Sequence, residues 1–261
     1  MSQPRDVNLS ISSEIGRADA SRITVRGHDL VSELIGQVSQ TQMALLAITG
    51  ELPDEPTTRV VDAVLVSLVE HGLTPSALAT RLTYWSAPEA IQGAVVAGLL
   101  GAGSVLLGSM ERCGRLLTEI DDAVQMGEAE DVAVRRLLRA LLDDGERVPG
   151  VGHSLHRGGD PRASRLLEVA EREGKAGCHV RRLKMIESEA ATLVGRALPL
   201  NATGAAAALL LECQIPWQLH RGFALMSRTA GLVAHIGEEI SQPLTPEVRR
   251  VLRELSQPDE S

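Results

Sequence analysis

Apolar residues spaced along one face of a helix are the feature of this sequence that most restricts its fold. Between residues 57 and 70, apolar side chains such as Val60, Val61, Val64 and Leu68 recur every three or four positions, the period of an amphipathic α-helix. The pattern predicts further helices over residues 29–37, 41–49, 74–82, 87–103, 110–126, 131–142, 161–173, 177–195, 203–213 and 216–240, with a last short one at residue 245. No alternating apolar run supports a real sheet, so the sequence predicts an all-α fold in two lobes.

The composition suits closely packed helices. The 261 residues are 44% hydrophobic but only 2% aromatic, so the core must consist mainly of Ala, Leu and Val, whose small side chains let helices approach one another. The segment 87–103 contains several glycines, each of which costs about 1 kcal/mol in a helix interior. We therefore expect close backbone contact there, inside the protein or across a dimer interface. Residues 23–26 are β-branched and predict a short extended piece, and residues 1–20 are polar and aperiodic.

A glycine-rich loop at residues 149–162 (PGVGHSLHRGGDPR) is the strongest candidate for a functional site. Its glycines and proline predict a rigid, bare turn that brings backbone amides close to a ligand. Asp160-Pro161 predicts a helix start, whose positive end favours an anion. His153 is a proton carrier near neutral pH, and Arg157 and Arg162 can hold phosphate or carboxylate groups. The same Gly-Gly-Asp-Pro pattern also occurs in ordinary surface turns.

Charge and cysteine content exclude several classes of protein. The net charge of −8 argues against general nucleic-acid binding. Cys113, Cys178 and Cys213 form no CxxC pair, which predicts a reducing cytoplasm and no structural zinc or other metal. The N-terminus lacks the layout of a signal peptide, and no apolar run reaches the roughly 18 residues of a membrane span. We therefore expect a cytoplasmic protein that contacts no membrane.

Five segments in order resemble one known family. They are residues 26–30 (RGHDL), 46–53 (LAITGELP), 70–73 (EHGL), the loop at 149–162, and 227–235 (SRTAGLVAH). Together they resemble the citrate synthase superfamily, most closely its short members, the citryl-CoA lyases, and the citryl-CoA-cleaving module of ATP-citrate lyase. The resemblance covers nearly the whole chain from about residue 23.

The resemblance implies an architecture. The family fold is all-α, with a large helical domain, a smaller inserted helical domain and a cleft between them. On this chain it implies a large domain of residues 21–110 and 220–261, a small domain of residues 111–219, and a mobile arm of residues 1–20. It also implies a homodimer or a dimer of dimers, for which the glycine-rich helix at residues 87–103 would suit the interface.

The family also implies roles for matching residues. His71 corresponds to a histidine that contacts the oxo- or hydroxy-acid, and His153 to the catalytic histidine that shuttles a proton at the substrate oxygen. Arg162 and Arg228 correspond to arginines that clamp substrate carboxylates. Residues that match the family's coenzyme A site are Gly150, Val151, Gly152 and Arg157. The implied partners are a CoA thioester, with CoA as part of the substrate, and a small di- or tricarboxylate.

The chain departs from the family at three positions. Thr203 stands where the family has the aspartate that acts as acid/base at the acyl carbon, and a hydroxyl without a nearby base cannot take a proton from carbon at a useful rate. Leu106 stands where a histidine polarises the thioester carbonyl. Gln242 lies where an arginine often reaches across the dimer. Nearby carboxylates that could replace the aspartate are Asp160 and Glu212, although neither fits the motif.

Two hypotheses follow. The first is an enzyme that makes or cleaves a carbon–carbon bond in a CoA thioester of a hydroxy-carboxylic acid, with Thr203 at the diverged catalytic position. The second is a non-catalytic homologue that binds CoA or carboxylates in a regulatory or structural role. His235 lies on an apolar helix, where a substrate contact and a satisfied core histidine are equally compatible with the pattern.

Overall fold

The computed structural model describes residues 13–104, 107–152 and 159–256. Helices account for 67% of the structure, which confirms the all-α prediction. The described helices are α1 (Gln40–Thr49), α2 (Glu55–Leu68), α3 (Pro75–Ser86), α4 (Ile91–Leu100), α5 (Gly108–Gln125), α6 (Glu130–Asp143), α7 (Pro161–Arg172), α8 (Cys178–Val194), α9 (Ala202–Glu212), α10 (His220–Ser241) and α11 (Thr245–Leu255). The chain forms two compact units that divide between Thr58 and Arg59. The division into large and small domains stays a prediction.

The first unit contains a small antiparallel sheet of β1 (Gly16–Ala18), β2 (Ile23–Val25) and β3 (His28–Asp29). Strand β2 confirms the extended piece expected from its β-branched residues. Strand β1 lies inside the segment expected to be an arm, and its pairing with β2 gives it regular structure. Arg26 and Gly27 form the turn between β2 and β3, both with positive φ (48° and 86°), as a two-residue hairpin requires.

Local capping explains where the helices of this unit lie. Instead of the expected α-helix over residues 29–37, a π-helical turn forms at Leu30–Leu34, because Asp29 accepts hydrogen bonds from two backbone N–H groups and Ile35 N donates five residues back, to Leu30 O. Helix α1 begins with a capping box between Ser39 and Gln42 and ends at Gly50 in the left-handed conformation. The predicted C-cap at Gly50 is confirmed.

Helix α9 lies at the centre of the second unit, where it packs against α5, α7 and α8. Nearly all of its residues are buried, including the run from Gly204 to Leu210. Its alanines leave room for the neighbouring helices, as expected from the aromatic-poor composition. Helix α2 buries Val60, Val61 and Val64, as its spacing predicted.

Helix α4 is shorter than the predicted segment 87–103 but keeps one close approach. A Cβ on Gly98 would lie 2.1 Å from the Thr80 side chain and 2.9 Å from Ser76 O of α3. The close contact expected from the glycines is therefore real at this position. By contrast, a Cβ on Gly93 would make only an ordinary contact of 3.8 Å with the Ala90 Cβ, and the apolar side chains of Val96 and Leu100 are 49% and 79% exposed.

No helix in the described ranges combines the length and hydropathy needed to cross a membrane. Within the same ranges, no three His, Cys, Asp or Glu residues lie close enough together to hold a metal ion.

Candidate active site

The described part of the glycine-rich loop is attached to the segment that leads into α9. Gly152 N donates to Pro199 O (2.7 Å), and Asn201 N donates to Gly150 O (3.1 Å). The Asn201 side-chain amide donates to Gly152 O (2.9 Å), and Val151 and Leu200 form a β-bridge. Residues 150–152 are therefore held on the start of α9. Two predicted site residues of this loop, His153 and Arg157, lie outside the described residues, as does Leu106.

Two glycines permit this attachment. A Cβ on Gly204 would lie 2.3 Å from Gly150 O, so any side chain at position 204 would push the loop away from α9. Gly150 itself has φ +86°, and a Cβ there would lie 2.6 Å from the Cys113 Sγ of α5. Residues 150–152 of the loop thus lie closely packed between α5 and α9.

Asp160 links the loop, α7 and α9. It caps α7 as predicted, accepting from Arg162 N (3.0 Å), and its other oxygen accepts from Ala202 N (3.0 Å). Arg162 donates to the same carboxylate from Nε (3.1 Å) and Nη2 (2.9 Å). Burial alone would raise the pKa of Asp160, but these hydrogen bonds and the Arg162 charge lower it to about 2. Asp160 is therefore an ionised anchor for Arg162 and a poor proton acceptor at neutral pH.

Arg228 is a buried arginine with an unpaired N–H group. Arg228, on α10, is only 8% exposed, and its Nε has no hydrogen-bond partner among the described residues. Burial lowers the pKa of Arg228; Glu70 opposes this shift and Arg162 adds to it. Helix α10 also meets Glu70 at Gly231, three residues after Arg228, where a Cβ would lie 3.1 Å from Glu70 Oε2. A buried guanidinium with an unpaired N–H is an arrangement that a ligand carboxylate would complete.

Glu70 organises the turn that carries His71. Its Oε1 accepts from His71 N (2.8 Å) and Gly72 N (2.5 Å), and its Oε2 lies 3.0 Å from His235 Nε2. Burial alone would raise the pKa of Glu70, but the His71 amide, the His235 ring and the Gly72 amide hold it below its usual value. Glu70 is a carboxylate at neutral pH.

Helix α10 fits closely against this turn. A Cβ on Gly231 would lie 2.1 Å from Val69 O, so only glycine allows the approach. Arg228, Gly231 and His235 are spaced to share one face of the helix. That face brings Arg228 and His235 to Glu70 and the His71 turn. His235 is 9% exposed and makes an ion-pair contact with Glu70, so it belongs to this site rather than to a purely apolar core.

Thr203 lies in a network of hydroxyl and amide groups. Its Oγ1 lies 2.7 Å from Asn201 Oδ1 and 3.1 Å from Ser109 Oγ. Because Asn201 Oδ1 can only accept, the Thr203 proton points to it, and Ser109 then donates to Thr203. Asn201 Oδ1 also accepts from Gly204 N (3.0 Å) and so caps α9. None of these groups is a base that could take a proton from carbon.

The carboxylates considered as replacements for the missing aspartate have other roles. Glu212 Oε1 accepts from the backbone N–H groups of Gly177 (3.0 Å), His179 (2.8 Å) and Val180 (3.0 Å), and so caps the start of α8. Asp160 is held by Arg162. At the end of α10, Gln242 O accepts from Arg81 (2.9 Å), which is itself bound to Glu239.

A cavity of about 700 Å³ lies beside residues 151 and 152. Its lining residues are Leu142, Glu146, Arg147, Val148, Val151, Gly152, Val194, Arg196, Ala197, Leu198 and Pro199. Glu146 pairs with Arg112, whereas the guanidinium groups of Arg147 and Arg196 are exposed and have no ion pair within the described ranges. The cavity therefore combines apolar walls with two cations.

The structure thus brings the face of α10 that carries Arg228 to the turn of His71, and Asp160 links Arg162 to α9 one residue before Thr203. Sequence reasoning missed Ser109, Glu70 and the two cavity arginines. Glu70 could have been found because it precedes His71 directly. Ser109 gave no local signal, because its contact with Thr203 joins distant parts of the chain.

The chain matches known proteins over nearly its full length. The family model for the C-terminal domain of citrate synthase matches residues 18–251. The citrate synthase of Haloferax volcanii is 29% identical over 244 residues, covering 90% of this chain and 62% of that protein. The chain spans about half the length (49%) of other curated relatives that it matches.

Solved structures share the fold. The citryl-CoA lyase of Hydrogenobacter thermophilus matches with a TM-score of 0.80 and 31% identity, covering 90% of this chain and 88% of that one. The ATP citrate lyase of Methanothrix soehngenii, in complex with citrate and coenzyme A, matches with a TM-score of 0.71 and 17% identity, covering 92% and 40%. The second likeness is evidence for the fold alone.

Proposed function

Because the chain belongs to the citrate synthase family, we propose that it cleaves or forms a carbon–carbon bond in a coenzyme A thioester of a hydroxy-carboxylic acid. The observation that carries this proposal is Arg228, which is buried with an unpaired Nε on the face of α10 that packs against the turn of His71. Guanidinium groups bind carboxylates through parallel N–H bonds. Relatives of this chain include citrate synthases and a citryl-CoA lyase.

The cavity beside the glycine-rich loop supports CoA as part of the substrate. Its apolar walls and the cations of Arg147 and Arg196 suit a ligand with an aromatic base and phosphates. Val151 and Gly152 border it, two of the residues that the family resemblance assigns to the coenzyme A site.

The cleavage reaction needs two proton transfers. A base removes the hydroxyl proton, the carbon–carbon bond breaks, and its electron pair passes to the carbon beside the thioester carbonyl. That carbon then takes up a proton, which gives an acyl-CoA and an oxo acid. We assign the first transfer to His153 and the anchoring of the acid to Arg162, Arg228 and His71. Thr203, in place of an aspartate, makes reprotonation of the carbon the slow step.

We also propose that the active protein is a homodimer or a dimer of dimers. Helix α4 supports this, since it is apolar all round and exposes Ile91 (48%), Val96 (49%) and Leu100 (79%). A helix with this pattern is normally buried against a partner.

The alternative is a binding protein that retained the pocket and lost turnover. The observation that favours it is the hydrogen-bonded Thr203, together with the structural roles of Asp160 and Glu212. In this alternative CoA and carboxylates would still bind.

The two functions differ in turnover. Purified protein is incubated with citryl-CoA and related 3-hydroxy thioesters, and the released acyl-CoA is separated by liquid chromatography. We expect cleavage that falls by about tenfold or more in Arg228→Ala, while Arg165→Ala, which removes an exposed arginine, stays near wild type. His153→Ala is expected to abolish cleavage. Binding of CoA by calorimetry without cleavage of any thioester would favour the binding protein.

A further inference from the structure

Helix α10 buries charged side chains and exposes apolar ones. Its buried residues include Ser227, Arg228, His235 and Glu239. One row of its exposed residues carries no charge at all, and we call this row the outer stripe of α10: Gly222, Met226, Ala230, Val233, Gly237 and Ile240. At 3.6 residues per turn these six residues lie within an arc of about 80°, on the side of the helix roughly opposite Arg228.

The outer stripe is open on its whole length. Met226, Val233 and Ile240 are 39%, 47% and 65% exposed, and a Cβ on Gly222 or on Gly237 would meet no atom of another element within 4 Å among the described residues. A surface helix normally turns its charged and polar face to water. An exposed apolar stripe with the polar side chains on the inner face is therefore a surface for a partner.

We infer that the outer stripe pairs with the outer stripe of a second copy of this chain, with the two helices antiparallel. The inference rests on the proposed homodimer and gives it a further surface. A two-fold axis at the middle of the stripe places Met226 of each copy against Gly237 of the other, and Val233 against Ala230. Each large side chain thus meets a small residue, which lets the two helices approach closely.

The ends of the stripe favour the same orientation. In the antiparallel pair, Ile240 of one copy lies within one residue of the level of Gly222 of the other. A parallel pair about a two-fold axis would instead set Met226 on Met226 and Gly237 on Gly237. Large residues would then clash and glycines would leave gaps, which well-packed interfaces avoid.

Helix α4 adds to the interface. It packs beside α10, since a Cβ on Gly98 would lie 2.7 Å from Leu232 Cδ1, and it exposes Val96 and Leu100. The exposed apolar side chains of both helices amount to roughly 600 Å² in two copies. Because apolar atoms make up about 65% of a homodimer interface, the whole would reach roughly 1,000 Å², the lower limit of a specific interface. Both helices are therefore needed, and a change on either should separate the copies.

Light scattering after size-exclusion chromatography tests the pairing. Val233→Asp places a charge where the partner would bury it without a counter-ion, so we expect the measured mass to fall by half, from dimer to monomer. Val251→Asp is the matched control, because Val251 is an exposed valine on α11 (40%), and it should keep the wild-type mass. Circular dichroism identical to that of wild type shows that each variant is folded.

The result also separates this inference from the proposed dimer. If Val233→Asp stays dimeric while Val96→Asp dissociates, the dimer forms through α4 alone, and the pairing of α10 is refuted while the proposed dimer stands. A wild-type protein that is monomeric would overturn both. Cleavage of a thioester is measured independently and does not depend on either result.

Disulfide cross-linking tests the orientation. Met226 and Gly237 lie about 16 Å apart along one helix, too far for a disulfide within one chain, but they are neighbours across the antiparallel pair. Under mild oxidation, the double variant Met226→Cys/Gly237→Cys should give a covalent dimer on a non-reducing gel, whereas neither single variant should. Cross-linking of the single variants, or none in the double variant, would overturn the antiparallel arrangement.

Discussion

Replacing Asp160 by asparagine removes the negative charge and one of two acceptor oxygens. Asparagine has a single acceptor, so it can cap α7 or accept from Ala202 N but not both, and the variant loses one backbone hydrogen bond together with the ion pair to Arg162. The pKa of Asp160 is lowered from 3.8 to about 2, a shift worth about 2.5 kcal/mol. Because the Arg162 side chain is 31% exposed, we expect Asp160→Asn to lower the free energy of unfolding by about 2 kcal/mol at neutral pH.

The ionisation of Asp160 also predicts how the stability difference between wild type and Asp160→Asn changes with pH. A carboxylate whose folded pKa is below its unfolded value stabilises the protein fully above the unfolded pKa of 3.8. That stabilisation is lost as the pH falls toward the folded pKa of about 2. The difference between wild type and Asp160→Asn should therefore be constant from neutral pH to about 4.5 and shrink below that.

Urea unfolding followed by circular dichroism measures this difference. Asp144→Asn, at the exposed C-terminal end of α6, is the control and should stay within about 0.5 kcal/mol of wild type. If Asp160→Asn unfolds at the same urea concentration as wild type, the contacts of Asp160 with Arg162 and Ala202 do not stabilise the fold.

Four further outcomes follow from the structure. Gly204→Ala forces a Cβ to within 2.3 Å of Gly150 O and should lower stability by about 2 kcal/mol, a fall in Tm of roughly 4–8 °C by calorimetry. Gly93→Ala, whose Cβ would only contact the Ala90 Cβ at 3.8 Å, should not destabilise the protein. Thr203→Val removes the bond to Asn201 and should cost about 1 kcal/mol in urea unfolding. Thr203→Asp should speed cleavage if reprotonation is slow, and an unchanged rate would refute that assignment. Val96→Asp on α4 should convert the dimer to monomer in light scattering; an unchanged mass would rule out this interface.

Asp160 and Glu70 hold the residues of the candidate site in different ways. Asp160 is buried and fixed by Arg162 and by Ala202 N, whereas Glu70 is partly exposed and contacts the His71 turn and His235.

The elements that were predicted correctly are those with local causes. The amphipathic spacing of α2, the left-handed Gly50 after α1 and the Asp160-Pro161 start of α7 all depend on residues a few positions apart. The prediction of an α-helix over residues 29–37 was wrong because Asp29 caps a π-helical turn, which apolar spacing does not distinguish from an α-helix. Helix α4 ends three residues earlier than expected, at Leu100.

The sequence by itself determined the all-α class, the family, and the departure at position 203. Periodicity, caps and motifs depend on residues that are close together in the chain. Tertiary structure alone decided what surrounds the predicted arginines. Asp160 reaches Ala202, Glu70 reaches His235, and Thr203 reaches Ser109 only because the helices pack as they do. Such contacts join groups far apart in the chain. The surroundings of Arg228 and Thr203 therefore follow from packing rather than from any motif.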